Sequence, residues 1–484
     1  MVKDGAADVV IVGGGSAGFA AAIASRQAGA ERVLLLEKGK AELVGGNARY
    51  SHTGFRCVHT GLAEIAELVE QHLDPATAHI DPYPAEDFVA DLKRVTQGRI
   101  NPSLAQLIVD RSNASINWMK RLGFRWALHG GVDVDGVRHY NRGNVLYPEG
   151  GGIGQMQVWE RVAQEHDVEV RYRSSVTELH GTDVAIEGVR VSGPEGTYDV
   201  TASHVILCSG GFQASAQRRA AHLGKNADLM KIRGSRHNTG EVLQLALDMG
   251  ASSAGQWQGA HATPIDGNAP AMEAGHHANR YSYEYGITVN EMAQRFFDEG
   301  EAEHAYTYAK TGWAVLAQEG GVAYQIFDEQ GAPLMTDRYH EGSLVRADSV
   351  KELAVALGLD PLLLERTVDN FNAAIRDDVA FNPSVRDGRR TTGLSPDKSN
   401  WAVRIERPPF YGMPVTAGIT FTFGGLKVDE RAQVHNTREE PIKGLYASGD
   451  IVGLFFHNYP SCSGQTRNSV LSQLAGAAAA TVQA

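Results

Sequence analysis

At 484 residues, with 43% hydrophobic and 21% charged residues, the chain is too long for a single core and is expected to form two or three domains, one of them interrupted by another. A formal net charge of −12 argues against nucleic acid or an anionic membrane surface as the main partner, while leaving room for a local basic pocket for an anionic substrate. Cys57, Cys208 and Cys462 are too few and too far apart for a disulfide framework or a zinc cluster, and no CxxCH is present to attach haem.

The chain enters its first strand almost at once, with no basic-then-apolar leader, so a cytoplasmic protein is expected. Val9 to Val12 form an uninterrupted apolar run, as in a central parallel strand, and Gly13-Gly14-Gly15-Ser16-Ala17-Gly18 follows directly. Gly13 suits a tight turn, Gly15 a close approach of backbone to pyrophosphate, and Gly18 the packing of helix on strand. A second strand, Arg32 to Leu36, ends in Glu37, about twenty residues on, where a carboxylate can accept ribose hydroxyls. Together these features predict a dinucleotide site.

Next comes a glycine-rich loop around Gly45-Gly46-Asn47, suited to lying against a cofactor. A helical region runs from Ala63 to Leu128, and a second polar loop holds Arg142, Asn144 and Gly150-Gly151-Gly152. Strands are expected at Val168–Tyr172 and Ser203–Cys208, the latter running into Ser209-Gly210-Gly211, with antiparallel edge strands between them. From Trp257 to Pro408 the doubly wound pattern stops, and an inserted domain is expected there, with one helix from Val350 to about Asp377. The first pattern then returns, ending in Gly444-Leu445-Tyr446, Gly449-Asp450 and a helix after Thr466. The Ala-rich stretch Ala475–Ala480 falls short of the ~18 apolar residues of a membrane span, so an integral membrane protein is not expected. The expected domains are 1-256, 257-408 and 409-484, the first and last forming one unit.

The set GGGSAG, Glu37, Gly45-Gly46-Asn47, Ser209 to Gly211, Arg295-Phe296 with Asp298-Glu299, Gly424-Gly425 and Gly449-Asp450 resembles the FAD-dependent fumarate reductase/succinate dehydrogenase flavoprotein superfamily. The resemblance implies an α/β fold in which a Rossmann-like FAD-binding domain of glutathione-reductase type is interrupted by an α+β capping domain. It also implies FAD, held by Gly13, Gly15, Ser16, Ala17, Gly18, Glu37, Lys38, Gly45, Gly46, Asn47, Val176, Ser209, Gly210, Gly211, Gly449, Asp450, Ser469 and Val470. Ser51-His52-Thr53 superficially matches the element that carries covalent FAD in membrane-bound relatives, but Asn47 is the better positional match to their histidine, so non-covalent FAD is expected.

Within the superfamily, Gly286 to Asn290, Asp298 to Gly300 with Tyr306 to Lys310, and Ile419 to Gly425 look most like tricarballylate dehydrogenases. Tyr459-Pro460-Ser461-Cys462-Ser463-Gly464 is similar to the Tyr-Pro element of 3-ketosteroid Δ1-dehydrogenases, where a Tyr hydroxyl and a backbone N–H hold a carbonyl oxygen. Fumarate reductase's substrate histidine and arginine fall at Thr420-Phe421 and Tyr459, so fumarate is not expected as substrate.

The expected activity is that of a dehydrogenase that introduces a C=C bond α,β to a carbonyl in a small carboxylated molecule. Tricarballylate to cis-aconitate is the leading case; the alternatives are a cyclic ketone such as 4-oxocyclohexanecarboxylate, a 3-ketosteroid, or an ene-reductase running in reverse. Tyr459 and the N–H near Ser463 are the expected oxyanion donors, and His304 the expected base, with Tyr306 and Glu303 as rivals. Arg142, Phe421, Thr422 and Tyr459 are expected to meet the substrate, and His261, Arg295 and His457 are further candidates. Electrons would pass to an acceptor: oxygen, a quinone or a separate electron-transfer protein.

Overall fold

The computed structural model describes residues 5–143, 146–383 and 385–481, so Asn144 lies outside it. The chain divides into two compact units, one comprising Met1–Leu223, Gly234–Ala260 and Phe421–Ala484, the other Gly224–Arg233 and His261–Thr420.

The first unit opens with β1 (Gly5–Val12), α1 (Ser16–Gln27), β2 (Val33–Leu36), a short helix α2 (Gly46–Tyr50), α3 (Pro102–Arg121) and α4 (Gly151–Glu165). There follow β3 (Glu169–Arg171) and the strands β4 (Ser175–Gly181), β5 (Ile186–Gly193) and β6 (Gly196–Leu207). The second unit contributes β7 (Lys231–Ile232), β8 (Ala260–Asp266), β9 (Ile287–Val289), α5 (His304–Leu316), β10 (Val322–Phe327), β11 (Val345–Ala347), α6 (Val350–Leu357), α7 (Pro361–Ala374) and β12 (Phe410–Thr422), which ends inside the first unit. The chain then completes the first unit with β13 (Gln433–His435), β14 (Pro441–Ala447) and α8 (Ser463–Thr481).

In the first unit the strand order is β13-β14-β6-β1-β2-β3, with β5 and β4 added on β6. β1 runs parallel to β2 and β6, and β6 parallel to β14, so Val9, Val10 and Ile11 are fully buried. This is why that run is apolar without alternation. A Cβ at Gly18 would lie 1.9 Å from Gly13 O, so only glycine lets α1 start this close to the turn. The Ala-rich tail packs on α1: a Cβ at Gly476 would lie 2.5 Å from Ala21 O, and small residues on both helices permit the contact. Among the described residues no helix is long and apolar enough to cross a membrane.

The second unit is built on β12. β10 pairs antiparallel with it from Val322↔Thr416 to Phe327↔Tyr411, and β7 parallel through Lys231↔Gly418 and Ile232↔Ile419. Ile287, Val289, Ile326, Leu353, Leu364, Val368 and Phe371 close its core. Two expectations change here. Phe410–Thr420, read as part of the returning segment, belongs to this sheet because its backbone is zipped to β10 and β11. The single helix expected from Val350 is two: Gly358 adopts a left-handed φ of 75° as a C-terminal stop, Asp360 caps the next helix, and Pro361 opens it.

Gly18→Ala is expected to cost about 1–3 kcal/mol of stability by overpacking, read as a lower urea midpoint. Gly15→Ala, whose φ of −85° suits any residue and whose Cβ would meet nothing nearer than Gly45 O at 3.8 Å, is expected to shift that midpoint by less than about 0.5 kcal/mol.

Candidate active site

In the first unit the glycine turn is fixed from beneath. Gly13 N donates to Leu36 O at 2.8 Å, with Gly13 at φ 111°. Glu37 is buried, and its two carboxylate oxygens accept from Gly14 N at 2.7 Å and Gly39 N at 2.5 Å. Each oxygen keeps a lone pair for a further donor. Gly15 bridges to Gly45 on the neighbouring loop, and no side chain caps the N-terminus of α1, so its N–H groups stay open to an anion. A side chain at Gly15 would fill the open space above the turn.

Asn47 ties the two ends of the chain together. Its Oδ1 accepts from Asn238 Nδ2 at 2.8 Å and Ser235 N at 3.1 Å, and its Nδ2 donates to Asp450 Oδ2 at 3.3 Å. Asp450 also pairs with Arg467, a buried guanidinium that lies 5.1 Å from the Phe455 ring. Burial pushes Arg467 below its usual range, and Asp450 opposes that shift. Ser209–Gly211 follow β6 and approach Thr422 Oγ1 and both side-chain polar atoms of Gln213, which are buried without a hydrogen-bond partner among the described residues. A Cβ at Gly211 would lie 2.3 Å from Thr422 Oγ1 and 2.8 Å from Gln213 Oε1. Buried polar groups in this state call for a further partner, such as an ordered water or a ligand.

Several expected contacts are taken up inside the protein. Ser463 donates both its N–H (3.1 Å) and its hydroxyl (2.6 Å) to Pro460 O, so the N–H expected to face substrate closes a turn instead. Gly464 follows, 4.0 Å by its Cβ direction from both Tyr459 and Phe421. Ser469 Oγ bonds Ser115 of α3 at 2.6 Å, and the Lys38 ammonium bonds Thr239 at 2.7 Å and Glu241 at 3.1 Å. Ser16 Oγ donates to Gln465 at 3.2 Å, while Ala17, Val176 and Val470 are buried. Gly449 takes φ 86°, and Gly46 and Gly210 are also left-handed. Arg142 is exposed in an ion pair with Asp87 at 2.7 Å, over the Tyr83 ring, so it is already partnered. Tyr459, Phe421 and Phe455 form an aromatic group, with Tyr459 5.2 Å from Phe421 and 5.5 Å from Phe455. Arg56 holds the preceding loop by donating to Ser461 O at 2.9 Å.

The second unit gathers a different set. His304 begins α5. Its backbone N–H donates to Glu284 Oε2 at 2.7 Å, and its Nδ1 lies 3.1 Å from Glu284 Oε1. Glu284 is buried, whereas the His304 side chain is 41% exposed. Tyr281 stacks on the ring at 5.5 Å. Sequence reading missed Glu284, a lone carboxylate inside the aromatic run Tyr281 to Tyr285. Of the rivals, Tyr306 is 48% exposed and Glu303 is paired with Arg386 at 2.9 Å. Arg295 is buried against Glu299 at 2.5 Å, and Lys398 beside them is pushed down to about 8 by burial. Arg233 and His261 share the Thr420 hydroxyl, at 2.6 Å and 2.9 Å. Burial, reinforced by the Arg233 charge, holds His261 well below the usual imidazole range. In the first unit, His457 is tied by its backbone to Gln256.

A doubly wound sheet with a glycine turn opening onto a helix N-terminus is a dinucleotide-binding arrangement, one that FAD-dependent oxidoreductases share. Residues 8–466 match the FAD binding domain family, and the chain belongs to that family. It is 29% identical over 458 residues to a fumarate reductase (cytochrome) of Shewanella frigidimarina, covering 92% of this chain and 72% of the relative. The open conformation of a flavocytochrome c3 fumarate reductase superposes with a TM-score of 0.75 at 25% identity, covering 99% of this chain and 79% of that one. A 3-ketosteroid Δ1-dehydrogenase of Sterolibacterium denitrificans shares the fold, with a TM-score of 0.74 at 19% identity over 99% of this chain and 100% of that one. The residues present fit FAD: the open turn at Gly15 and the α1 N-terminus suit the pyrophosphate, Glu37 keeps acceptor capacity, and Thr422 and Gln213 hold buried polar atoms for a ligand to complete.

His261 sets a pH dependence. Its folded pKa is depressed, so the unfolded chain takes up the proton first, and stability is lost as pH falls below about 6.5, by up to about 1.4 kcal/mol per pH unit. His261→Gln is expected to flatten this slope when urea midpoints at pH 7.5, 6.5 and 5.5 are compared with the parent's.

Proposed function

We propose that this protein is an FAD-dependent dehydrogenase that desaturates a small carboxylated molecule at the carbons α,β to a carbonyl, and that the His304–Glu284 pair is its base. The observation that carries this reading is the two-point grip of buried Glu284 on the backbone and Nδ1 of His304. A carboxylate that accepts from Nδ1 fixes the tautomer, leaving Nε2 as a proton acceptor, and it stabilises the imidazolium once the proton has moved.

FAD, when bound, supplies the acceptor for the hydride leaving the β-carbon. His304 Nε2 takes the proton from the α-carbon, whose acidity depends on stabilising charge on the carbonyl oxygen. Tyr459 hydroxyl is one donor to that oxygen. Because the Ser463 N–H is engaged, Gly464, the next residue of α8, supplies the backbone N–H. Run in reverse with His304 as acid, the same groups reduce a C=C bond. The FAD is held without a covalent bond: Asn47 stands where the resemblance puts the linking histidine, and His52 packs edge-on against His129 and tilted against Tyr147. An oxidant outside the chain, whether oxygen, a quinone or an electron-transfer protein, completes turnover.

Within this class, tricarballylate would require several cations for its carboxylates, whereas a cyclic keto acid requires an apolar slot and one oxyanion pair. Arg142, Arg295 and Arg467 each already hold a carboxylate of this chain, and aromatic rings surround Tyr459. These observations favour the keto acid.

Anaerobic mixing of the flavin-loaded protein with 4-oxocyclohexanecarboxylate, tricarballylate and a 3-ketosteroid is expected to bleach the flavin with the first. His304→Ala should slow bleaching by about 10²–10⁴-fold, and Glu284→Gln should lower the rate without changing substrate affinity. Unchanged bleaching in both His304→Ala and Tyr306→Phe would overturn the base, and bleaching by none of the three compounds the substrate class. Acid precipitation is expected to release yellow colour into the supernatant; colour kept in the pellet would refute non-covalent FAD.

A further inference from the structure

A charge sealed inside a protein is costly unless it is paired. Three buried guanidiniums of this chain meet that need with carboxylates: Arg280 with Asp266 at 2.8 Å, Arg295 with Glu299 at 2.5 Å, and Arg467 with Asp450. Arg233 differs from these three. It is only 8% exposed, its Nε has no hydrogen-bond partner, and among the described residues no carboxylate pairs with it.

The side chain is nonetheless held in a defined place. Arg233 N donates to Ile419 O at 2.9 Å, continuing the pairing of β7 with β12, and Nη1 donates to Thr420 Oγ1 at 2.6 Å. A Cβ at Gly418 would lie 2.9 Å from both Arg233 Cγ and Cδ, so glycine there leaves room for the aliphatic stem against the strand. The Thr420 hydroxyl also meets His261 Nδ1 at 2.9 Å, and the Tyr308 ring lies 5.2 Å from His261. Because His261 stays neutral, the group carries a single fixed positive charge beside a hydroxyl and an imidazole. An oxyanion the size of a carboxylate supplies what such a guanidinium lacks, and it can be bound through the planar fork of N–H donors.

We propose that Arg233 binds the carboxylate of the substrate, with Thr420 holding its guanidinium in position. This rests on the desaturase reading above and narrows the substrate to an anion with one principal carboxylate anchor. Neither of the arginines singled out in the sequence serves here, since Arg142 and Arg295 are both paired.

The test uses the flavin-loaded protein, with calorimetric titration and thermal melting, on the parent, Arg233→Met and Arg233→Lys. The probes are 4-oxocyclohexanecarboxylate, its methyl ester and inorganic sulfate. The parent is expected to bind the acid about 10- to 100-fold more tightly than the ester. Arg233→Met should lose that preference, and Arg233→Lys should keep part of it. Without ligand, Arg233→Met should melt no lower than the parent, because it removes an unpaired buried charge, whereas loss of a merely structural arginine would lower the melting point.

A preference for the acid retained in Arg233→Met, or a lowered melting point with no selective loss of acid binding, overturns the proposal. So does Arg233-dependent binding of sulfate when neither acid nor ester binds. Equal bleaching by the acid in the parent and Arg233→Met, with equal affinity, would leave the desaturase reading standing while removing Arg233. Arg233-dependent binding of the acid without bleaching would do the opposite.

Discussion

The approach of α1 to the turn after β1 governs the first unit. With a hydrogen at Gly18 where any other residue would place a carbon 1.9 Å from Gly13 O, the helix begins directly under the turn. That contact aims the free N–H groups of α1 at the space above Gly15 and lets Glu37 clamp the turn from below through Gly14 and Gly39. It also places Gly15 beside Gly45, so two loops distant in sequence share one wall. Asn47, Asp450 and Arg467 then fasten the far end of the chain to it.

The second unit is governed by charge rather than by close contact. Its buried acids are each shared between several donors: Glu299 meets Arg295 and Thr288 N, and Glu284 meets two atoms of His304. A carboxylate bonded at two points holds its partner's orientation. A catalytic imidazole must present one nitrogen and hide the other, and Glu284 enforces that arrangement.

What could be read from the chain alone followed from how local the signal was. The strand, glycine turn, helix and acid from Val9 to Glu37 lie within one supersecondary unit, and their spacing carries the nucleotide-binding reading. The break at Gly358, Asp360 and Pro361 was equally local: a stop, a cap and a first-turn proline stand in order, although the apolar periodicity runs across them. Glu284 was not legible as a partner, because 20 residues separate it from His304 and only the turn at Ser282–Tyr285 brings them together. Arg233 and Thr420 are 187 positions apart and meet through the parallel pairing of two short stretches. Ser463 failed for the opposite reason: its N–H is consumed by a residue three positions back, a detail of turn geometry that motif similarity does not carry.

The interrupted layout of the first unit has a consequence for biosynthesis. The Val205–Leu207 end of β6 receives its outer neighbour through Val205↔Leu445 to Leu207↔Ala447, and the face of α1 around Ala21 receives its packing partner from residues near Gly476. During synthesis from the N-terminus, the long run His261–Thr420 leaves the ribosome before either partner does. The intervening unit therefore has time to complete its own sheet while that end of β6 and that face of α1 wait uncovered. That delay leaves the nascent chain exposed to aggregation until β14 and α8 emerge, and a truncation that removes α8 would leave the α1 face it covers open.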